Sequence, residues 1–317
     1  MRDHGGNLDE AMACWGGGRA AWLDLSTGIN ARPYPLPPIP PEAWGALPTR
    51  AEIAALEGAA ARAYATEAEV VALAGAQAAI QIVPRLAPTG RARVLAPTYN
   101  EHAAALSAAG WDVTEVEEEA ALSGADLAVV VNPNNPDGRR HGPEALAALA
   151  GEVGLLVVDE SFADPEPALS LAPQLAALPN AIVERSFGKF YGLAGLRLGF
   201  ALAPPPLAAR LRAAAGPWAV SGPAIAIGRA ALADRGWQAD TVARLTAEAA
   251  RLDALAEGAG WALIGGTPLF RTYETGDAPA AQARLAAGRV WSRIFPYSPG
   301  WLRLGLPGTE AGWSRLT

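Results

Sequence analysis

Short apolar runs alternate along the chain with alanine- and leucine-rich stretches, and this pattern predicts an α/β fold. Each apolar run has the length of a buried strand, and most are followed closely by Gly, Pro, Asn or Asp. The stretches between them read as helices, and a strand-loop-helix rhythm indicates a mostly parallel sheet covered on both faces. The predicted strands lie at residues 70–73, 93–96, 127–131, 154–158 and 181–184, and the predicted helices between them at 76–86, 101–109 and 143–149.

Two proline-rich breaks predict a second, smaller domain. Residues 32–41 contain six prolines and favour an extended connector, because proline is excluded from helix interiors and central strands. A second break at 203–206 closes the sheet region, and beyond it helical stretches at 207–215 and 222–255 precede strand-like runs at 261–264 and 301–304. We therefore predict a large domain at 42–203 and a small α+β domain built from both termini, residues 1–41 and 204–317.

Composition and charge favour a cytoplasmic enzyme with a small-molecule substrate. The 317 residues carry a formal net charge of −7 and show no basic stripe, which argues against a nucleic-acid partner. No apolar run has the length of a membrane span, and the first twenty residues lack the core of a signal peptide. The single cysteine, Cys14, cannot form an internal disulfide, which is consistent with a reducing compartment. No metal site is predicted.

The strongest chemical signal is Lys189, which lies in a glycine-rich segment between Ser186 and Arg197. An amine with a hydroxyl and a guanidinium held close to it suits a phosphorylated aldehyde, because the amine forms a Schiff base while the other two groups bind the phosphate. Glycines on either side of the lysine let the chain turn tightly. Lys189 is therefore the first candidate for a catalytic residue.

Further candidates lie in the loops that follow the predicted strands, where wound α/β sheets bind their ligands. Gly75, Ala76 and Gln77 stand between a strand and a helix, and their backbone N–H groups are suited to a phosphate. After the next strand, Tyr99 and His102 each offer a flat side chain that could cover one face of a pyridine ring.

These segments together resemble the fold-type I enzymes that use pyridoxal 5'-phosphate, the aspartate aminotransferase fold. The spacing of Ser186, Lys189 and Arg197 is similar to their lysine segment, and residues 132–138 resemble the N-P-N-N-P-T-G segment of histidinol-phosphate aminotransferases. The resemblance implies that Asn135 donates a hydrogen bond to the phenolic oxygen of the cofactor. It also implies that Asp159 keeps the ring nitrogen protonated, and it makes His102 the first choice for the stacking residue.

The chain departs from that family at two positions. Phe162 stands where the family usually places a tyrosine that also binds the phenolic oxygen of the cofactor. Leu47 stands where histidinol-phosphate aminotransferases tend to carry a tyrosine that reaches the cofactor phosphate of a neighbouring subunit. The resemblance implies a homodimer, but Leu47 puts that contact between subunits in doubt.

Both ends of the chain resemble the threonine-phosphate decarboxylases of cobalamin biosynthesis, through residues 4–7, 24–30 and 301–313. By this resemblance Arg303 binds the substrate carboxylate, for which a planar guanidinium is well suited. Arg293 is a second anion-binding candidate, and His4 and Asn30 are candidates near the substrate. The implied activity is decarboxylation of O-phospho-L-threonine to 1-amino-2-propanol O-phosphate.

Two alternatives remain open at the level of sequence. One is an aminotransferase that acts on histidinol phosphate or another amino acid, because the same residues hold the cofactor in both reactions. The other is a protein that binds the cofactor without catalysis, against which the intact set of Lys189, Asp159, Asn135 and Arg197 argues.

Overall fold

The structure is a computed structural model that describes residues 4–317. Its strands, in chain order, are β1 Leu23–Asp24, β2 Glu69–Leu73, β3 Arg91–Leu95, β4 Asp112–Val116, β5 Leu127–Val131, β6 Leu156–Asp159, β7 Ala181–Ser186, β8 Gly199–Ala203, β9 Ala262–Thr267, β10 Phe270–Glu274, β11 Val290–Trp291, β12 Arg293–Phe295 and β13 Ser298–Gly305. Its helices are α1 Leu8–Trp15, α2 Glu42–Gly45, α3 Arg50–Ala63, α4 Ala76–Ile82, α5 Glu101–Ala108, α6 Pro143–Ala150, α7 Phe187–Phe190, α8 Pro205–Ala215, α9 Gly222–Ala233, α10 Arg235–Gly258, α11 Ala278–Ala287 and α12 Glu310–Trp313.

Contacts divide the chain into two compact units. The sheet unit comprises Tyr34–Asn135 and Arg140–Gly236, and the terminal unit comprises the chain up to Pro33, Pro136–Arg139 and Trp237–Thr317. The sheet unit therefore extends beyond the predicted limits of 42–203. Residues 204–236 belong to it because α8 packs against β2 and β8 while α9 packs against α3.

The sheet unit contains seven strands in the order β2-β8-β7-β6-β5-β3-β4. Strands β3 to β7 run parallel to one another, whereas β8 is antiparallel to both β2 and β7. The mostly parallel sheet is confirmed, and all five predicted strands are present. The apolar residues of β5 are buried completely or nearly so, as expected for a strand covered on both faces.

The terminal unit contains a four-stranded antiparallel sheet, β12-β13-β10-β9, and a short parallel pair, β1 with β11. Residues 136–139 join this unit because Gly138 lies directly against the backbone of Gly266, where a Cβ on Gly138 would fall 2.3 Å from the Gly266 nitrogen. The Thr272 hydroxyl also donates a hydrogen bond to the Pro136 carbonyl oxygen at 2.5 Å.

The predicted helix at 222–255 is two helices, and this expectation is corrected. Asp234, with φ −85° and ψ 81°, leaves the helical conformation between α9 and α10. Its carboxylate accepts a hydrogen bond from the Tyr34 hydroxyl at 3.3 Å, and aspartate favours such breaks because its side chain competes for backbone partners. No helix within residues 4–317 is both long and apolar enough to cross a membrane.

Candidate active site

The carboxyl ends of β2, β3, β5, β6 and β7 lie at one edge of the seven-stranded sheet, because these five strands point the same way. The predicted cofactor residues all follow these strand ends. The topology therefore brings together segments that lie up to about 120 positions apart in the sequence, and the first is the turn from β2 into α4.

Gly75 caps the N-terminus of α4, its backbone conformation favours glycine, and it lies against the end of the Arg197 side chain. Its φ is +82°, and a Cβ there would lie 2.9 Å from Nη2 of Arg197. Gly199 is equally constrained, since a Cβ on it would lie 2.3 Å from the Ala76 nitrogen. Backbone N–H groups and a guanidinium thus converge on one point, which is the geometry that an anion such as phosphate requires.

Lys189 lies in α7, directly after β7, and is half-buried. Its amine is 5.5 Å from the ring centroid of Phe162, which is itself buried. Lys189 is also the only lysine in the sequence, since every other basic side chain apart from histidine is arginine. An aldehyde that reaches this edge of the sheet therefore meets a single ε-amine.

Asp159 ends β6 and is buried with 3% of its surface exposed. Nε2 of His102 lies 2.9 Å from its Oδ2, and the Ser161 N–H donates to its Oδ1, also at 2.9 Å. Burial acts to raise the pKa of Asp159, but the hydrogen bonds and charge of His102 together with Ser161 outweigh it and lower that pKa. Asp159 is therefore a carboxylate at neutral pH, suited to hold a proton on a ring nitrogen.

The structure places His102 differently from the predicted stacking position. The ring is buried in the core and its Nε2 is used by Asp159; because a carboxylate only accepts hydrogen bonds, Nε2 carries the proton. The physical reason is the start of α5, which turns position 102 inward towards β6. Tyr99, the other predicted candidate, lies edge-on to His102 with ring centroids 6.2 Å apart. Tyr99 is now our candidate for the face of the ring.

Tyr99 is positioned by a chain of side-chain hydrogen bonds. Its hydroxyl donates to Oε1 of Gln77 at 3.2 Å, and Nε2 of Gln77 donates to the buried Glu101 at 3.2 Å. Gln77 therefore has two roles in this geometry, because its backbone begins α4 while its side chain fixes the tyrosine. Neither the side chain of Gln77 nor Glu101 was assigned such a role from sequence.

The loop after β5 is held by asparagines on either side of the predicted ligand Asn135. Asn132 donates to the carbonyl oxygens of His141 and Leu169 at 2.9 and 3.1 Å. Asn134 donates to the Pro97 carbonyl oxygen at 2.9 Å and accepts from the Thr98 hydroxyl at 2.6 Å. Asn135 itself is half-buried at the end of this rigid loop. The repeated asparagines are thus mainly structural.

In the terminal unit, Arg303 is buried and anchors the segment that begins at His4. Its Nη2 donates to the Ser26 carbonyl oxygen at 2.6 Å. A Cβ on Gly5 would lie 2.3 Å from the same oxygen and 3.5 Å from Nη2, so only glycine permits this approach. The Gly6 N–H donates to the Ser26 hydroxyl at 2.7 Å. The motifs from both ends of the chain are therefore adjacent.

His4 and Arg293 line one pocket of about 450 Å³ in this unit, together with Ser26 and Gln282. Asn30 is not among the residues that line it. Its side-chain oxygen instead accepts hydrogen bonds from Arg244 at 2.9 Å and from the Arg32 N–H at 3.0 Å. His4 and Arg293 thus line the same pocket, whereas Arg303 contacts the backbone of Ser26, which also lines that pocket.

One buried acid in this region was not assigned any role from sequence. Glu184 in β7 has no exposed surface, and neither of its side-chain oxygens has a hydrogen-bond partner among residues 4–317. Burial raises the pKa of Glu184 well above its ordinary value, and the charge of Asp159 raises it further. In the sequence Glu184 reads as the polar end of a predicted strand, so no signal marked it as buried.

These residues fit pyridoxal 5'-phosphate on the evidence of their own geometry. The space that a Cβ on Gly75 would fill lies against Arg197, Lys189 is the single ε-amine, and Asp159 is a buried carboxylate. A phosphate, an aldehyde and a basic ring nitrogen are the complements of those three features.

Comparison with known proteins agrees with this chemistry. The family described as aminotransferase class I and II matches residues 44–316. A threonine-phosphate decarboxylase from Sinorhizobium sp is 46% identical over 99% of this chain and 96% of its own, and one from Pseudomonas aeruginosa is 45% identical over 100% and 96%. The fold is similar to histidinol-phosphate aminotransferase from Sinorhizobium meliloti in complex with pyridoxal-5'-phosphate, with a TM-score of 0.78 and 22% identity over 97% of this chain and 91% of that one.

Proposed function

This chain belongs to the class I and II aminotransferase family, and we propose that it uses pyridoxal 5'-phosphate to decarboxylate O-phospho-L-threonine, giving 1-amino-2-propanol O-phosphate. The observation that carries the proposal is similarity at 45–46% identity to two proteins named threonine-phosphate decarboxylase, which extends through both ends of the chain. Those ends contain His4 and Arg303, the candidates for substrate binding.

The sheet unit supplies the residues that would hold the cofactor. The N–H groups of Ala76 and Gln77, the Ser186 hydroxyl and Arg197 would bind its phosphate, and Lys189 would attach to its aldehyde carbon. Asn135 would donate to the phenolic oxygen, Asp159 would hold a proton on the ring nitrogen, and Tyr99 would cover one face. When bound, pyridoxal phosphate supplies a carbonyl that condenses with the substrate amine and a ring that accepts an electron pair.

The terminal unit supplies the candidates for substrate binding. Arg303 and Arg293 are guanidinium groups suited to a carboxylate and a phosphate, and His4 lines the same pocket as Arg293. In the proposed reaction the bond between Cα and the carboxylate breaks, CO2 leaves without the bonding electrons, and the amine of Lys189 or a water delivers a proton to Cα. No second substrate is consumed.

The rival activity is transamination, for which the same residues of the sheet unit would serve. The two reactions differ in which bond at Cα is held perpendicular to the ring. The cofactor residues do not distinguish them, so the full-length similarity decides in favour of decarboxylation.

The decisive experiment incubates the purified protein and pyridoxal phosphate with O-phospho-L-threonine and measures CO2. We expect CO2 in equal amount to the substrate consumed, with no 2-oxo acid added. Turnover that requires a 2-oxo acid acceptor would favour the aminotransferase, and no turnover with any amino acid would favour a protein that binds without catalysis. Lys189→Ala is the inactive control.

Attachment of the cofactor can be tested separately from turnover. Borohydride reduction in the presence of pyridoxal phosphate should add one stable adduct to the peptide that contains Lys189. Because Lys189 is the only lysine, the α-amine of the chain is the only other amine that can be labelled. A Lys189→Arg protein keeps the positive charge and should lose the adduct.

We further propose a cytoplasmic homodimer that serves cobalamin biosynthesis, as the resemblance implies. The sheet unit exposes the large apolar side chains of Leu36, Trp44, Leu47 and Trp218, between 54% and 69% of each being accessible. These side chains are our candidates for contact with a second copy of the chain. Light scattering should give twice the chain mass of 32.6 kDa, and the mass of a single chain would contradict the dimer.

A further inference from the structure

We propose that Glu184 is a positioning residue for the cofactor, because it shares a proton with the His102–Asp159 pair beneath the ring nitrogen. This inference rests on the proposed cofactor role of Asp159. It goes beyond that role by adding a third titratable group from a neighbouring strand.

The register of the sheet places Glu184 beside Asp159. The two residues are Cα partners on the parallel strands β6 and β7, so their side chains leave the same face of the sheet. A carboxyl oxygen of Glu184, one of Asp159 and a ring nitrogen of His102 all lie within 4.8 Å of one another. The three residues are each at least 97% buried.

Glu184 cannot be an isolated anion in this position. Neither of its oxygens has a hydrogen-bond partner within the described part of the chain, and an unpaired buried carboxylate carries a large desolvation cost. A proton on Glu184 removes that cost. It also gives the group one O–H donor, which needs an acceptor within reach.

A small space beside Glu184 leaves room for a water that could connect it to the neighbouring pair. A small cavity of about 10 Å³ adjoins both Glu184 and His102, and its remaining lining consists of aliphatic residues and a proline, so these two are its only titratable groups. That volume is close to the space that the centre of one water molecule needs. From β6 the carboxylate of Asp159 faces the same cluster.

The proton balance of the cluster is simple. In one arrangement Glu184 is a neutral acid, and His102 is a neutral imidazole that donates Nε2–H to Asp159. In the other the proton has moved from Glu184 to the His102 ring through a water in this cavity, which leaves an imidazolium near two carboxylates. The total charge is unchanged. In the second arrangement the positive charge beside Asp159 favours the ionised carboxylate that holds the proton on the ring nitrogen of the cofactor.

The test uses Glu184→Gln, which keeps the shape but cannot release a proton, and Glu184→Leu as a second variant. The sequence has only three histidines, so the imidazole signals of His102 are readily assigned by NMR. We expect imidazolium character of His102 to persist to higher pH in the parent protein than in either variant, by about one pH unit. The exposed Glu115→Gln is the control and should leave His102 unchanged.

Cofactor affinity supplies the second readout. We expect pyridoxal phosphate to bind about tenfold more weakly to Glu184→Gln than to the parent protein at pH 8, and we expect this difference to shrink at pH 6, where solvent supplies protons more readily. A loss that is equal at both pH values, with unchanged His102 titration, would show that Glu184 is merely structural and would overturn the inference. Neither readout depends on CO2 release, so failure here is distinct from failure of the proposed reaction.

Discussion

Two buried clusters of charged residues lie on opposite faces of the same pair of strands, and they are built differently. On one face Asp159 and Glu184 accompany His102; on the other, Glu160 and Arg185 accompany Asp164, because successive side chains of a strand alternate between faces. Arg185 donates to Glu160 at 2.7 Å and to Asp164 at 2.8 Å. In the first cluster, Nε2 of His102 lies 2.9 Å from Oδ2 of Asp159.

The Arg185 cluster is joined by further contacts from neighbouring groups. Glu160 also accepts from the Ser170 hydroxyl at 2.5 Å and from the Leu171 N–H at 2.6 Å, and the guanidinium lies 4.2 Å from the Tyr64 ring centroid. Burial alone would lower the pKa of Arg185, but Asp164 and Glu160 outweigh it and raise that pKa. Burial nevertheless raises the pKa of Glu160 and of Asp164 in spite of this guanidinium. We expect the Arg185 cluster to serve the fold, and we propose that Asp159 serves the cofactor.

The largest expected effect is on catalysis, and it should distinguish the Asp159 cluster from the Arg185 cluster. Asp159→Asn keeps the size of the side chain but removes the charge beside the ring nitrogen, so we expect kcat to fall about 100- to 1000-fold. Glu160→Gln, one position along the strand, should leave kcat within a few-fold while it lowers stability. Both are measured as CO2 release and by urea unfolding. Similar kcat losses in the two variants would contradict the assignment of catalysis to Asp159 and of stability to Glu160.

Removal of the guanidinium from the Arg185 cluster should have the largest effect on stability. Arg185→Met leaves Glu160 and Asp164 buried without their partner, and we expect the free energy of unfolding to fall by about 3–5 kcal/mol. The matched control is Arg91→Met, which removes an exposed ion pair with Asp126 and should cost less than about 1 kcal/mol. A cost at Arg185 no larger than the control would show that the cluster is not a stabilising unit.

The dependence of stability on pH should sharpen the contrast. The pKa of Glu184 is raised in the folded state, so above its unfolded value of about 4.3 the folded chain holds a proton that the unfolded chain has released. Stability is therefore lost as pH rises from there towards the folded pKa, by about 1.4 kcal/mol per pH unit. Glu184→Gln removes this slope.

Urea unfolding of the parent, Glu184→Gln and Glu115→Gln at pH 5, 6, 7 and 8 measures the slope. We expect the Glu184→Gln protein to gain stability relative to the parent at each step, while Glu115→Gln follows the parent. Parallel curves for all three proteins would mean that Glu184 ionises normally. Asp159 acts in the opposite direction, because its lowered pKa gives stability that is lost only as pH falls below about 4.

The smallest expected effects come from two serines that bond the two acids. Ser161→Ala removes a hydroxyl next to Asp159, and Ser170→Ala removes the donor to Glu160. One lost hydrogen bond is worth about 1 kcal/mol. We expect Ser161→Ala to lower kcat several-fold with little change in stability, and Ser170→Ala to lower stability by about that amount with unchanged kcat. If Ser161→Ala instead lowered stability and Ser170→Ala lowered kcat, the roles given to the two faces of the sheet would be wrong.

The sequence predicted those parts of the fold in which apolar character alone determines the element. The apolar run at 127–131 became β5 without change, because a strand buried on both faces needs no further information. The alternating segment Asp112–Val116 was not predicted, since half-exposed edge strands resemble loops in composition. Gly199–Ala203 was also missed, because its glycine was read as part of the lysine segment rather than as the start of β8.

Within the site, sequence predicted which residue types occur but not how they face. Lys189, Ser186 and Arg197 follow from spacing along one segment, so the chain itself holds them close. His102 could have faced a ring or a carboxylate, and only its 2.9 Å distance to Asp159 decided between them. The position of Glu184 beside Asp159 depends on the pairing of β6 with β7, and no local sequence pattern reveals that pairing.

The presence of one lysine has a consequence for the protein surface. Pyridoxal phosphate is a reactive aldehyde that condenses with accessible amines, and most proteins carry many of them on their surface. Here arginine provides nearly all of the basic charge, so apart from the chain's own α-amine the aldehyde has one destination. A surface without ε-amines cannot form side-chain adducts with the cofactor that the enzyme binds. The reactivity of the single ε-amine in the folded protein therefore shows whether the cofactor is attached to it.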